Sequence, residues 1–420
     1  MKILWIVNSM MPVVAKKLGF SGKGSGGWLT AMLVQLSQIL GVELLVATAS
    51  HKVTRIFWYE WDGIKYVVLS TGKKKWHYNR HLEKQWKQIQ DTFQPDIIHI
   101  HGTEFLHGLA YIRACGSKDV VISLQGMVGE IGEHYFAGIS ESVIRETETW
   151  ADRLLHRGII VTRGLFQKMG EYEREYLQSV KYVIGRTEWD RNVAMAINPR
   201  LTYCINNECL NEVYYKNIWH EENCEPHSIF VSQCSYPIKG FHFLLQAMPY
   251  VISEFPDTKV YVAGAASIYP STIQKRLLKT GYNHYLQQLI DQNNLREYVH
   301  FVGALSPNEM CQQYLKRNVF VMCSAVENSS NSLGEAQILG MPTVVSSVAG
   351  NVTMTNNGEI GLLYEYDNYK QLAEQINNIF GNRYSLQMLE TERDVAMLRH
   401  DRSQNIKVLM SIYNLILENK

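Results

Sequence analysis

Short apolar runs, rich in β-branched residues, alternate with longer mixed stretches along the first half of the chain. The runs span residues 2–7, 43–49, 64–69, 96–100, 120–124 and 180–184. Runs of this length predict buried strands, and the stretches between them are long enough for the helices that connect parallel strands. The pattern therefore predicts an α/β domain built on a parallel sheet.

The same alternation starts again after a polar segment at 206–227. The second series of apolar runs spans residues 228–232, 259–263, 299–302, 319–323 and 343–347. We therefore expect two doubly wound, Rossmann-like domains, 1–220 and 221–395, that face each other across a cleft. Loops at the carboxyl ends of the strands should line that cleft, because ligands of such sheets bind there.

The last segment, 396–420, carries an amphipathic helical pattern. Its apolar positions include Ile406, Leu409, Ile412 and Ile416. A helix with one apolar stripe must bury that stripe against another element. We expect it to pack back on the N-terminal domain.

Composition and charge exclude several classes. Hydrophobic residues make up 46% of the chain and charged residues 19%, as in ordinary globular proteins. The 41 basic and 40 acidic residues provide no extended basic surface for nucleic acid. Seven cysteines without a C-x-x-C pair favour reduced thiols over disulfides, and their spacing matches no zinc motif.

Targeting signals are not visible in the sequence. The segment 1–8 leads directly into a strand-like run without the features of a secretion signal. The longest apolar runs, such as 319–326, fall short of the roughly 20 residues that span a bilayer. We expect a cytoplasmic protein, or one at the inner face of the membrane.

The segment from Glu327 to Glu335 carries the most specific pattern in the chain. It follows a predicted strand and leads into a short helix that Gly340 and Pro342 end. Ser332 and Glu335 have the spacing of a capping box, which would explain Glu335 by local structure alone. The second carboxylate and the polar loop favour a ligand-binding role instead.

The backbone amides of Asn331, Ser332 and Leu333 add to that second interpretation. They stand at the predicted helix N-terminus, where unpaired N–H groups and the helix dipole favour a phosphate.

Glu327 and Glu335, with seven residues between them, match the E-x7-E motif of the retaining glycosyltransferases of family four. The chain resembles the members of that family that build bacterial capsules and exopolysaccharides, which have the GT-B fold. The resemblance implies that Glu327 contacts the donor sugar, that Glu335 binds the ribose, and that the amides between them meet the diphosphate. It also implies a hexosyltransferase with a nucleoside-diphosphate sugar as donor. The domain 221–395 is expected to bind that donor, and the domain 1–220 is expected to lie on the acceptor side.

Lys239 and Gly240 follow the predicted strand 228–232 and precede a helical stretch. The helix dipole disfavours a lysine at a helix N-terminus unless an anion offsets it; a solvated surface lysine is the alternative. By the resemblance, Lys239 binds the diphosphate. The family usually has an arginine five residues earlier, where this chain has Cys234, and Arg186 is a candidate to replace that cation.

Three features of the N-terminal half match the family less closely. Gly26 and Gly27 end a glycine-rich loop that resembles the loop near the donor phosphates, with a flexible surface loop as the alternative. His101 ends a Pro-Asp-hydrophobic-His run and could line the cleft or be structural. Gln125 stands where many members have a histidine that contacts the donor sugar; it can hydrogen-bond a hydroxyl but cannot transfer a proton.

The chemistry implied by the resemblance is electrostatic. Loss of the nucleoside diphosphate leaves negative charge on phosphate, which Lys239 and the helix amides would stabilise. The family retains the anomeric configuration, which implies front-face attack by the acceptor hydroxyl. We expect no metal or other cofactor, because no Asp-x-Asp pair is present to hold a divalent ion.

A basic and aromatic segment, 73–80, followed by Trp86 and Lys87, is typical of a peripheral contact with an anionic membrane. A solvated helix start and a nucleic-acid contact are the alternatives. A glycan or lipid-linked acceptor in surface polysaccharide synthesis is the expected partner. A sugar-nucleotide epimerase or phosphorylase of the same fold, or a sugar-binding protein without catalysis, remain rival hypotheses.

Overall fold

The structure is a computed structural model that describes residues 1–20, 27–72, 78–264, 268–270, 272 and 277–419. The chain forms two compact units. The first comprises Met1–Val128, Met169–Asn211 and His400–Lys420, and the second comprises Gly129–Lys168 and Glu212–Arg399.

The first unit is built on an eight-stranded sheet. Its strands are β1 (Lys2–Val7), β2 (Glu43–Ser50), β3 (Phe57–Trp61), β4 (Ile64–Ser70), β5 (Ile97–His101), β6 (Val120–Ser123), β7 (Tyr182–Gly185) and β8 (Thr202–Ile205). They lie in the order β3-β4-β2-β1-β5-β6-β7-β8, and only β3 is antiparallel to its neighbour. The central strand β5 is buried at every position, as expected for a parallel sheet covered on both faces.

Helices cover this first sheet. They are α1 (Pro12–Lys17), α2 (Gly27–Ser37), α3 (His81–Phe93), α4 (Leu106–Cys115), the second half of α8 (Ile159–Ser179), α9 (Glu188–Ile197) and the C-terminal helix α18 (Arg402–Glu418). Helix α3 shows why they pack: Leu82, Trp86, Ile89 and Phe93 recur at helical spacing and are buried, while the intervening positions are mostly polar.

The C-terminal helix α18 belongs to the first unit. The hydroxyl of Tyr413 accepts a hydrogen bond from Trp5 Nε1 at 2.9 Å and lies 2.7 Å from His99 Nδ1. Its apolar stripe, including Leu409 and Ile416, is buried in the same core as β1. The last residues of the chain therefore complete the core of a unit that begins at the first residue.

The second unit contains a six-stranded parallel sheet. Its strands are β9 (Glu225–Val231), β10 (Lys259–Ala263), β11 (Val299–Gly303), β12 (Arg317–Met322), β13 (Thr343–Ser346) and β14 (Leu362–Tyr364). They lie in the order β11-β10-β9-β12-β13-β14. Numbered along the chain this order is 3-2-1-4-5-6, the arrangement of the Rossmann fold. The predicted class, α/β with two doubly wound Rossmann-like domains, is confirmed.

The helices of the second unit lie in two parts of the chain. The earlier part holds α5 (Val128–His134), α6 (Glu141–Thr147), α7 (Trp150–Leu154) and the first half of α8. The later part holds α10 (Glu212–Tyr215), α11 (Phe241–Glu254), α12 (Gly281–Gln292), α13 (Pro307–Leu315), α14 (Asn331–Leu339), α15 (Ala349–Met354), α16 (Tyr369–Phe380) and α17 (Leu386–Arg399). No helix of the described residues is long and apolar enough to cross a bilayer.

Residues 129–168 differ from the sequence-based division, which placed them in the domain 1–220. They belong to the second unit because polar groups join them to it: Asp152 Oδ2 accepts from the Gly281 amide at 2.6 Å, and Arg157 Nη2 donates to the Leu278 carbonyl at 2.6 Å. The assignment of the two domains to acceptor and donor stays a prediction.

Candidate functional site

Two loops of the second unit meet where the strand order reverses. Strand β9 is followed by the loop that ends at Gly240, and its neighbour β12 is followed by the loop that contains Glu327. The connections after these two strands lead to opposite sides of the sheet, and in doubly wound sheets this leaves a crevice outside the carboxyl ends of the strands. This switch point is where an open doubly wound sheet binds ligands.

Lys239 and Glu327 form an ion pair in this crevice. Lys239 Nζ lies 2.6 Å from Glu327 Oε2, and the two side chains are 23% and 17% exposed. Burial lowers the pKa of Lys239, but the negative charge of Glu327 outweighs it, so the pKa is raised and the lysine stays charged. Glu327 therefore supplies an anion beside Lys239 from within the protein itself.

The Glu327 carboxylate is held from one side. Ser324 Oγ donates to the same oxygen, Oε2, at 3.1 Å, and the Glu327 carbonyl accepts from the Gly350 amide at 2.9 Å. Both side-chain hydrogen bonds found among the described residues fall on Oε2. Oε1 is therefore the oxygen placed to accept a bond from a ligand hydroxyl.

Gly240 allows the two loops to come together. Its φ is +65°, and a Cβ atom there would overlap the carbonyl oxygen of Cys323 at the end of β12. The Ala325 amide also donates to the Ile238 carbonyl at 2.8 Å, which joins the loops through their backbones. A residue with a side chain at 240 would push Lys239 away from Glu327.

The helix after Glu327 begins earlier than its sequence suggested. Helix α14 starts at Asn331, and Ser330 is its N-cap, accepting from the Leu333 amide at 3.4 Å. The predicted capping box of Ser332 and Glu335 is therefore wrong, because Ser332 is already the second residue of the helix. Ser330 accepts from the Leu333 amide, and the contact of a phosphate with the amides of Asn331 and Ser332 stays a prediction.

Glu335 lies in the second turn of α14, where capping does not explain it. The Tyr314 hydroxyl lies 3.2 Å from Glu335 Oε2 and 3.1 Å from the Ser332 carbonyl oxygen, so these two acceptors share its single proton. Burial raises the pKa of Glu335 to about 7, although hydrogen bonds from Tyr314 and Tyr214 act in the opposite direction. Such a shift makes Glu335 a candidate for a binding role. The sequence analysis did not identify Tyr314, because the sequence of its helix is typical of a helix that packs in the core.

The family pattern includes a second cation near the phosphates. Cys234 stands at its usual position, and Arg186 was the candidate to replace it. Cys234 is fully buried, and burial raises the pKa of its thiol to about 12, so it carries no charge. Arg186 lies in the first unit, where Nη1 is 2.6 Å from Glu208 and Nη2 donates to the carbonyls of Leu124 and Gln125. Its charge is neutralised inside that unit, which argues against a role as the replacement cation.

His101 and Gln125 lie together in the first unit, beside Arg186. They line a small cavity of about 20 Å³, large enough for one water molecule. The His101 ring stacks on His99 with centroids 3.9 Å apart, and burial together with His99 lowers its pKa well below the ordinary value. His101 is thus a neutral, buried histidine. That either residue lines the predicted cleft stays a prediction.

Some sequence predictions fall on residues without a described position. Gly26 lies outside the described residues, whereas Gly27 begins α2. The segment 73–77 of the predicted membrane contact also lies outside them. Trp86, which the prediction included in that contact, is fully buried and its Nε1 donates to the His107 carbonyl at 2.8 Å, so this part of the prediction is wrong. Within the described ranges, no group of three His, Cys, Asp or Glu side chains is arranged to hold a metal ion.

Residues 216–394 match the family described as "Glycosyl transferases group 1". This range contains Lys239, Glu327 and Glu335. Among curated relatives, the spore coat protein SA of Bacillus subtilis (strain 168) is 27% identical over 157 residues, which are 37% of this chain and 39% of the relative. The capsular polysaccharide biosynthesis glycosyltransferase CapM of Staphylococcus aureus is 27% identical over 145 residues, 34% of each chain. The chain thus matches less than half the length of these relatives.

Solved structures extend the likeness in fold to the whole chain. Sucrose-phosphate synthase from Thermosynechococcus elongatus covers 100% of both chains with a TM-score of 0.70 and 15% identity. Anabaena Alr3699/HepE in complex with UDP-glucose covers 99% of this chain and all of that one, with a TM-score of 0.66 and 15% identity. The likeness to these structures confirms the expected two-domain α/β fold of GT-B proteins, and within it residues 216–394 match the glycosyl transferases group 1 family.

Proposed function

We propose that the chain is a retaining hexosyltransferase. It moves a sugar from a nucleoside-diphosphate sugar to a hydroxyl of a glycan or lipid-linked acceptor in surface polysaccharide synthesis. The observation that carries the proposal is the Lys239–Glu327 ion pair, at 2.6 Å, beside the N-terminus of α14 at the switch point of the second sheet. The group 1 family match over the same residues supports it.

The proposed roles follow from the charges of the site. Lys239, kept protonated by Glu327, faces the diphosphate and stabilises the charge that develops on the leaving phosphate. Glu327 Oε1 accepts a hydroxyl of the donor sugar, and Glu335 accepts the ribose diol. The amides of Asn331 and Ser332 contact the phosphates. Gly240 lets the loop approach closely, and Gln125, Gly26 and Gly27 stay predicted donor contacts.

The acceptor and the location are proposed from the relatives. CapM is named for capsular polysaccharide biosynthesis, and the other relative is named as a spore coat protein. An acceptor at the inner face of the membrane fits such a role, and peripheral contact through 73–80 remains part of the proposal. The donor stage needs neither metal nor another cofactor in this scheme, because Lys239 and the helix dipole supply the positive charge.

A panel of nucleoside-diphosphate sugars tests this proposal. UDP-glucose comes first, because Alr3699/HepE was solved with it. Wild-type protein should hydrolyse at least one donor slowly and melt at a higher temperature in its presence. If no donor is hydrolysed and none shifts the melting temperature, the proposal fails.

Product analysis separates the rival functions in the same assay. A transferase releases the nucleoside diphosphate and a free or transferred sugar. An epimerase changes the configuration of the sugar, a phosphorylase forms a sugar phosphate when phosphate is added, and a binding protein gives only the thermal shift.

Variants of the two glutamates separate binding from turnover. Glu335→Ala should weaken binding of UDP, while Glu327→Ala should mainly lower the turnover number. If the affinity for UDP and the turnover number are unchanged in both variants, the donor site does not lie at these residues.

A further inference from the structure

A carboxylate that the proposed reaction does not use lies at the corresponding switch point of the first sheet. In that sheet β1 and β5 are neighbours, and the chain order reverses between them. The loops after β1, β5 and β6 carry Asn8, Glu104 and Gly126. These are the loops from which a doubly wound sheet contacts ligands.

Glu104 is held from both neighbouring loops. Asn8 Nδ2 donates to Glu104 Oε2 at 2.7 Å, and the Gly126 amide donates to Oε1 at 3.1 Å. Three loops that are distant in sequence therefore fix one carboxylate at the edge of the sheet. An ionised carboxylate offers about four acceptor positions, so these bonds leave acceptor capacity for a ligand.

The backbone is shaped around this carboxylate. Gly102 has a φ of +90°, and a Cβ atom there would overlap Glu104 Oε2 and lie 2.7 Å from Asn8 Nδ2. The glycine thus leaves the space that the Glu104–Asn8 pair occupies. A side chain with only a surface role would not require this.

The partners of Glu104 are neutral donors. Elsewhere in the first unit, Glu208 is paired with Arg186. Glu104 is bonded, among the described residues, to an amide side chain and a backbone N–H group. Burial, with a smaller contribution from the neighbouring carboxylate of Glu173, raises its pKa to about 7. A carboxyl group in such surroundings lowers the free energy of unfolding, and a ligand that donates hydroxyl groups to it would offset that loss.

Glu173 shows what a structural carboxylate looks like in the same region. It is 2% exposed, and its Oε1 accepts from the Thr103 hydroxyl at 2.6 Å and the Val128 amide at 2.9 Å. Glu104 differs from Glu173 because it is only partly buried and lies in the loop after β5, at the carboxyl ends of the strands.

We propose that Glu104 and Asn8 form a binding site for adjacent hydroxyl groups of an uncharged acceptor sugar. This inference rests on the proposed glycosyltransferase function. Glu104 accepts hydrogen bonds from two hydroxyls, and the carboxamide of Asn8 holds the carboxylate in place. The carboxylate would repel an acidic sugar at the same position, so the site selects neutral acceptors.

The test measures transfer and hydrolysis in one reaction. The donor that wild-type protein hydrolyses fastest is incubated with a panel of neutral p-nitrophenyl glycosides, and glycoside product and free sugar are quantified separately. E104Q and E104A should lower the ratio of transfer to hydrolysis at least tenfold, mainly by raising the KM for the glycoside. E60Q, which neutralises an exposed carboxylate on the edge strand β3, is the control and should keep the ratio.

Each failure has a distinct meaning. Wild-type ratios in both Glu104 variants would overturn the acceptor site, as would a wild-type protein that hydrolyses the donor but uses no neutral glycoside. A parallel loss of hydrolysis and melting temperature in both variants would show a structural role and also overturn it. Absence of hydrolysis in the wild-type protein would overturn the proposed function, and this inference with it.

Discussion

Replacement of Lys239 by methionine probes the site most sharply, because it removes one charge and keeps an unbranched side chain. The ammonium group of Lys239 is 2.6 Å from the Glu327 carboxylate, in a crevice where both side chains are less than one quarter exposed. The variant leaves Glu327 partly buried without its cation. Turnover should fall because the developing phosphate charge loses its nearest cation.

The expected magnitudes follow from the exposure of the pair. Removing one partner of a fully buried pair costs about 3–5 kcal/mol, whereas surface pairs contribute about 0–1 kcal/mol. We expect a loss of about 1–3 kcal/mol in the free energy of unfolding. Removing one group that stabilises transition-state charge costs roughly 100- to 1,000-fold in kcat, and we expect an effect of that size on donor turnover.

The control variant is Lys259→Met. Lys259 Nζ is 2.7 Å from Glu225 Oε1, so the chemical types match, but both residues begin their strands and lie at the amino edge of the same sheet. The turnover number is measured from the rate at which nucleoside diphosphate is released, and the free energy of unfolding is measured by urea titration. Lys259→Met should keep wild-type turnover.

Two results would refute this reasoning. The first is a Lys239→Met variant whose turnover stays within about threefold of wild type, since a charge effect should be far larger. The second is strict additivity of stability losses in Lys239→Met combined with Glu327→Gln, because residues in direct contact should show a coupling energy.

Three further changes test other parts of the structure. Gly240→Ala should cost about 3 kcal/mol or more in urea titrations, because it adds a backbone overlap to a φ of +65°, whereas Gly303→Ala, with a φ of +81° and open space around it, should cost about 1 kcal/mol. Equal losses would contradict the packing argument. The raised pKa of Glu335, about 7, means that the folded state holds an extra proton between the unfolded value near 4.5 and 7, so stability falls as pH rises through that range. Glu335→Gln should remove part of this loss, so the variant should be more stable than wild type at pH 8. The affinity of wild-type protein for UDP should rise from pH 6 to 8 as Glu335 ionises, and the affinity of the variant should not. An unchanged pH profile of UDP binding in the variant would contradict the role of the carboxylate. Tyr413→Phe removes the hydroxyl that joins the C-terminal helix to the first sheet and should cost about 1–3 kcal/mol by thermal melting, and no loss would contradict that packing.

Much of the fold could be predicted because buried parallel strands have a strong local signature. The predicted runs at 2–7 and 259–263 coincide with β1 and β10, and most others agree within a few residues. Strands β3, β8 and β14 were missed for physical reasons. Strands β3 and β8 lie at the two edges of the first sheet and contain no fully buried residue, and β14 has only three residues.

The unit boundaries depend on contacts that the sequence does not encode locally. Residues 129–168 form helices like any others, and only tertiary bonds such as Asp152 to the Gly281 amide assign them to the second unit. The helix start at Asn331 was also ambiguous, because the serines at 329, 330 and 332 are all suitable caps.

The candidate site was predictable where spacing defines it and not where packing does. The spacing of Glu327 and Glu335 identified the loop, and the position of Lys239 indicated an anion nearby. The identity of that anion, the contact of Tyr314 with Glu335, and the internal ion pair of Arg186 all depend on residues far apart in sequence. Pairing across the fold cannot be derived from local patterns.

A crystal structure of the protein with UDP, or with the donor that it hydrolyses fastest, would locate the donor site. We expect the diphosphate between Lys239 and the amides of Asn331 and Ser332, with the ribose at Glu335. If the protein hydrolyses a donor with that nucleotide, and the nucleotide is bound away from the segment Glu327–Glu335, the proposed site is wrong.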